Sequence, residues 1–152
     1  MKLPMLKICA FIMLLAFGLY SCEKENLEPF HAKGRIIEIT SGCYGEVVLI
    51  EVENPKGIGE AGTFAFYGEK ENKVTYKNAI AVPYFAKIGI PNTVSQTIGT
   101  WLYFEYRELT EAEKIQSNLF EPDYTMACLG IFGPPSAPRL IVTKVIDFIS
   151  VE

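Results

Sequence analysis

The sequence predicts a mainly β domain: a small antiparallel barrel, or as the alternative a β-sandwich, with one short helix. Three observations predict it. Short runs rich in Val, Ile, Phe and Tyr recur between clusters of Gly, Pro, Asn and Ser, the pattern of strands joined by turns. A single place, Thr110 to Glu113, carries a helix-start signal. The part of the chain left to fold has the length of one domain.

That length follows from the N-terminus. Lys2 and Lys7 mark a basic start, and the thirteen residues Ile8 to Tyr20 carry no charge. A membrane-spanning helix needs about 20 apolar residues, so this run reads as the apolar core of a signal peptide. It ends in Leu19-Tyr20-Ser21-Cys22. The stretch resembles the lipobox of bacterial lipoproteins. The resemblance implies a diacylated Cys22, removal of residues 1–21 and acylation of the new N-terminus, which anchors the chain in a membrane. Each buried methylene of those acyl chains contributes about 0.8 kcal/mol. The alternatives are a cleaved soluble protein or a plain N-terminal anchor helix.

Removing 21 of 152 residues leaves 131, and takes two lysines from the 14 basic residues, so 12 face 18 acidic ones and the net charge is −6. A chain of that sign has no electrostatic footprint for a phosphate backbone, and no nucleic-acid partner is expected. Residues 22–33 read as the lipidated cysteine and a polar tether, with His31 exposed near its end, and residues 34–152 as a single β domain. The acidic start Glu23-Lys24-Glu25 is similar to the surface-export signals of Bacteroidetes lipoproteins. The expected location is the bacterial cell envelope, in the outer membrane, on its periplasmic or surface face.

Two cysteines of four remain once Cys9 is discarded and Cys22 is lipidated: Cys43 and Cys128. In an exported chain the economical expectation is that they pair. The bridge closes a loop of about 85 residues, worth roughly 4–5 kcal/mol in the chain-entropy model. Two buried thiols or a metal site are the rival readings. Zinc ligation is poorly served by two cysteines without a nearby His or a CxxC spacing.

The elements follow in order. Gly34 to Thr40 is β-branched and reads as a strand; Ser41 to Gly45 is a five-residue turn; Glu46 to Val52 is a second strand, apolar on both faces. Together they form a hairpin. The loop Asn54 to Gly62 contains Gly57-x-Gly59-x-x-Gly62, the letters of a dinucleotide fingerprint. That fingerprint turns a strand into a helix. Here the strand-like Thr63 to Tyr67 follows, so the glycines serve a connection. A charged turn, Gly68 to Lys73, leads to extended segments Val74 to Tyr76 and Asn78 to Val82, and Pro83 marks a strand end. Trp101 to Arg107 is the clearest strand. Leu102, Phe104 and Tyr106 share one face, the expected core, and Trp101, Tyr103, Glu105 and Arg107 the other. Thr110 and Glu113 form a capping box that starts a helix over Glu111 to Ser117. Tyr124 to Phe132 is expected extended, and Arg139 to Val151 is the last strand.

At this length the order suits an OB-like five-stranded barrel. The strand Gly34-Arg35-Ile36-Ile37, a cysteine in the first turn, a Val-rich second strand and the segment Gly99 to Arg107 point the same way, as does a second cysteine before the final strand. These features are similar to a group of small Bacteroidetes lipoproteins with an OB-like domain, over residues 33–147. The resemblance implies the fold and the disulfide and carries no activity.

The chain has no GxSxG, HExxH or P-loop motif, and its only aspartates are Asp123 and Asp147. No enzyme, cofactor or metal is expected. The aromatic excess is the remaining signal. Tyr44, Tyr84, Phe85, Trp101 and Tyr103 exceed what a small core needs, and a ligand face of Trp101, Tyr103 and Tyr84 is the candidate. It predicts a binding module for a glycan or peptide. Two rival readings stand beside it. Trp101 and Tyr103 cover a second small core under the helix, or the chain is an accessory lipoprotein that docks on another envelope protein.

Overall fold

The computed structural model describes residues 30–42, 45–53, 57–65, 73–115, 117–121 and 137–151. Cys22, Cys43 and Cys128 lie outside the described residues, as do Tyr44 and the expected extended segment from Tyr124 to Phe132.

The strands are β1 (His31–Thr40), β2 (Val47–Glu53), β3 (Glu60–Ala65), β4 (Lys73–Pro83), β5 (Trp101–Glu108) and β6 (Leu140–Ile149); the helix is α1 (Glu111–Ile115). All six strands pair antiparallel in one sheet, in the order β3-β4-β2-β1-β5-β6. The mainly β, antiparallel class is as expected. Closure is partial. The sheet curls until β4 meets the chain just ahead of β6, where Ala81 and Arg139 form an isolated parallel bridge and Ala81 N donates to Pro138 O at 2.8 Å.

Side chains alternate across this sheet. The inner face carries Ile36 of β1, Val48 and Ile50 of β2, Ile80 and Val82 of β4, and Leu102 and Phe104 of β5, all buried. Leu140 and Val142 of β6 complete it, and Phe85 and Ile90 of the β4–β5 connection close one end. Leu102, Phe104 and the partly buried Tyr106 therefore form the core face of β5, as their spacing predicts. Gly34 stands where β1 crosses β2; a Cβ there would lie 2.7 Å from Glu51 O and from a methyl of Ile50.

β1 starts at His31, three residues ahead of the expected Gly34. Ala32 pairs with Phe104 and is buried, which draws His31 and Lys33 into the ladder rather than the tether. Their polar side chains look like linker composition because they occupy the solvent side of a half-buried strand. A bulge between Ile36 and Glu38 then shifts the alternation by one residue, and Ile39 still joins the inner core.

The Gly57–Gly62 connection runs into β3, a strand, so it does not build the strand-to-helix turn of a dinucleotide site. Gly59 has φ +87°, and a Cβ on it would come within 2.7 Å of Asn78 O. The segment after Pro83 forms a 3-10 turn at Phe85–Ile88. The expected helix from Glu111 to Ser117 ends earlier, at Ile115, and a 3-10 turn follows at Ser117–Leu119. Its capping box is formed as the sequence predicts: Thr110 N donates to Glu113 Oε2 at 2.8 Å and Glu113 N to Thr110 Oγ1 at 3.3 Å.

Candidate functional site

The outer face of the sheet divides into two parts. Over the first half of β2 it is a second core. Val47 and Leu49 of β2, Ala79 and Ala81 of β4 and Ile141 of β6 are buried there under Phe120 and Ala137. Polar contacts fasten the cover. Glu46 N donates to Phe120 O at 2.9 Å. Lys87 Nζ lies 2.7 Å from Glu46 Oε2, with both side chains largely buried, and also donates to the carbonyls of Asn118 and Glu121. The Arg139 guanidinium stacks 4.9 Å from the Phe120 ring centre.

The other part lies over the first half of β1 and β5. Strand register sets its side chains in rows. Glu51, Arg35, Trp101 and Ile149 form one row across β2, β1, β5 and β6. Glu53, Lys33, Tyr103 and Asp147 form the next. His31, Glu105 and Lys144 form the third.

Each aromatic ring in these rows has a basic neighbour. The Arg35 guanidinium sits 5.8 Å from the Trp101 ring centre, and the His31 and Tyr103 rings lie 5.9 Å apart, tilted by 32°. The charges of Arg35, Lys33 and Lys144 are matched by carboxylates: Arg35 lies 3.9 Å from Glu51, Lys33 4.0 Å from Glu53 and Lys144 3.7 Å from Glu105; His31 Nε2 lies 3.5 Å from the same Glu105 oxygen. Cross-strand pairs at such lengths are loose, solvent-screened contacts. Between Trp101 and Tyr103 is a hollow of about 60 Å³, floored by Leu102 and Phe148 and rimmed by Lys33, Asp147 and Ile149.

Trp101 and Tyr103 are half-buried, and neither belongs to either core cluster. The second core that the alternative reading gave them exists, but it lies over β2 and β4 under Phe120. Tyr84 is not part of the same face. It packs against the inner core and donates its hydroxyl to Thr40 O. Phe85 is buried in that core. The face thus joins Trp101 and Tyr103, leaves Tyr84 aside, and adds Arg35, Lys33, His31 and Glu51. The signal for these additions is present in the sequence. His31, Lys33 and Arg35 alternate at period two, opposite a strand that ends with Glu51 and Glu53 at the same period.

Two larger hollows use their polar groups internally. In one, of about 390 Å³ between β5, α1 and β6, Glu113 takes both ends of the Arg107 guanidinium at 2.7 Å and Lys114 pairs with Glu111 at 2.7 Å. The Arg107 bonds, with that from Thr110 N, hold the Glu113 carboxyl down to about 2. In the other, of about 280 Å³ beside the 3-10 turn, Gln96 Oε1 accepts from Phe85 N at 2.7 Å. Among the described residues no three His, Cys, Asp or Glu side chains cluster as metal ligands, and no helix is long and apolar enough to cross a membrane.

Compared with models of known families and with characterised proteins, the chain finds no match.

Proposed function

We propose that the chain is a lipid-anchored protein of the bacterial outer membrane, held through Cys22, whose β domain is a non-catalytic binding module for a glycan. The observation that carries this reading is the uncovered part of the outer sheet face. Its aromatic pair, Trp101 and Tyr103, lies outside both cores and is flanked by charged groups that can exchange their contacts with one another for contacts to hydroxyls. Sugars present both the apolar C–H faces that stack on such rings and the hydroxyls that such groups bind.

The experiment is a glycan array with the purified domain and its Trp101→Ala and Tyr103→Ala variants. Both variants fold, with stability within about 1 kcal/mol of the parent because neither ring is a core residue, and both lose binding. Binding retained by both variants refutes the face. The anchor has its own test. A Cys22→Ala variant leaves the membrane fraction; retention there refutes lipid attachment.

A second reading, an accessory protein docked on another envelope protein, draws on a separate observation. Ile98, Ile149 and Val151 are exposed, and Val151 lies against Gly99 at the Trp101 end of the sheet. It predicts a partner that co-purifies with the parent and is lost with Ile149→Glu.

A further inference from the structure

We infer that the glycan is a neutral oligosaccharide whose chain runs along β5, with one sugar ring on Trp101 and another on Tyr103; this deepens, and rests on, the glycan-binding reading. Three observations support it.

The first is charge balance. The rows place Arg35, Lys33 and Lys144 against Glu51, Glu53, Glu105 and Asp147, with His31 beside Glu105. Each cation has a carboxylate within 4.0 Å, and the carboxylates are at least as many as the cations. A uronate or sulfated sugar laid here meets Glu51 and Glu53 on one flank and Asp147 on the other, and must displace a counter-charge for each contact it makes. A polycationic sugar meets Arg35 beside the Trp101 ring and Lys33 and Lys144 on the flanking strands. A neutral sugar displaces no charge. Its hydroxyls donate to the carboxylates and accept from the guanidinium and ammonium groups, and such bonds to charged partners are stronger than neutral ones.

The second is direction. Trp101 and Tyr103 stand two residues apart on the same face of one strand, about 7 Å along its axis. Their charged neighbours lie to the sides, on β1 and β2 and on β6. The aromatic track therefore follows β5, and the polar contacts border it.

The third is size. The hollow between the rings, about 60 Å³, is too small for a whole ligand and has room for a substituent the size of a hydroxymethyl group. A shallow track with one notch suits a chain lying on a surface rather than a molecule enclosed by a pocket.

The test is calorimetric titration of the folded domain with neutral, uronate-bearing and amino-sugar oligosaccharides of equal length, at low and at high salt. Neutral oligosaccharides bind, with affinity that changes less than about twofold with salt because no net charge is neutralised. Trp101→Ala weakens them at least tenfold, as truncation of an aromatic anchor does, and Trp101→Phe, which keeps a stacking surface, retains most of the affinity. Preference for uronates or amino sugars, or binding that collapses with salt, overturns the neutral class and leaves the glycan-binding reading standing. Binding of no oligosaccharide of any class, or of extended peptides instead, overturns both.

Discussion

Val47 and Glu51 lie on the same face of β2, two steps of the alternation apart through Leu49, yet Val47 is buried and Glu51 reaches solvent. The same change occurs on β6, between buried Ile141 and exposed Lys144. One half of the outer face is apolar and holds Phe120 and Ala137 against it; the other is aromatic and charged. The apolar half contributes stability by removing its side chains from water, at roughly 25 cal/mol per Å². The charged half cannot contribute in that way. Its ion pairs are 3.7–4.0 Å long and screened, and its rings are partly wet. A surface of that kind adds little to folding and is left available for recognition. In OB-like barrels the ligand face is commonly that of the second and third strands. Here the outward side of the first half of β2, with Ala79 and Ala81 of β4, is covered by Phe120 and Ala137, and the proposed ligand face is that of β1 and β5.

The sharpest way to break this comparison is at the fastening of the covered half. The loop before β2 is joined to it by the bond from Glu46 N to Phe120 O, and Ala137 packs in the same cluster as Ala79 and Ala81 of β4. In the sequence Cys43 precedes β2 and Cys128 lies between Phe120 and Ala137. A Cys43–Cys128 disulfide would close a loop of about 85 residues that contains β2 and Phe120. Reduction is expected to add two hydrogens to the mass and to remove roughly 4–5 kcal/mol of unfolding free energy, with sugar binding at Trp101 unchanged in the still-folded protein. Absence of the mass shift sinks the bridge.

Phe120→Ala tests the cover directly. Phe120 is 2% exposed and belongs to the second core together with Val47, Leu49 and Ala81. Its truncation is expected to cost about 3 kcal/mol in chemical denaturation and to leave glycan affinity within a factor of two. A cost below about 1 kcal/mol would mean that the cover is loosely held and that the two halves do not differ as described.

How much of this was legible in the sequence depends on whether the cause is local. The alternation of Leu102, Phe104 and Tyr106 against Trp101, Tyr103 and Glu105 is set by the pleat, and both faces are as it predicts. The Thr110–Glu113 box is set within four residues, and it forms. The start of β1 was less legible, because His31 and Lys33 look like linker until Ala32 is seen against Phe104, a partner more than seventy positions away. Phe120 carried no signal at all. It follows a short helix in a polar stretch, and only its contact with β2 makes it a core residue. Tyr84 illustrates the converse. Composition grouped it with Trp101 and Tyr103 as surplus aromatics, but the hydroxyl bond to Thr40 O places it on the inner core.

The smallest expected effect lies at the other end of β5, where Arg107 occupies the same outward face as Trp101 but is spent on structure. Its guanidinium donates two bonds of 2.7 Å to Glu113, whose carboxyl also accepts from Thr110 N. These contacts hold Glu113 at about 2 against an ordinary 4.5. A carboxyl with a depressed folded-state value adds stability that is fully present above its unfolded value and is lost as pH falls through the folded one. The contribution is therefore complete above about pH 4.5 and disappears towards pH 2. Glu113→Gln keeps an acceptor for Thr110 N but has no charge to titrate. Urea midpoints measured from pH 7 to pH 2 should show a shallower acid limb for the variant and a small, constant difference at neutral pH. Parallel acid limbs would show that the Arg107–Glu113 pair is as loosely held as the pairs beside Trp101, and the distinction between the structural and the available end of β5 would fail.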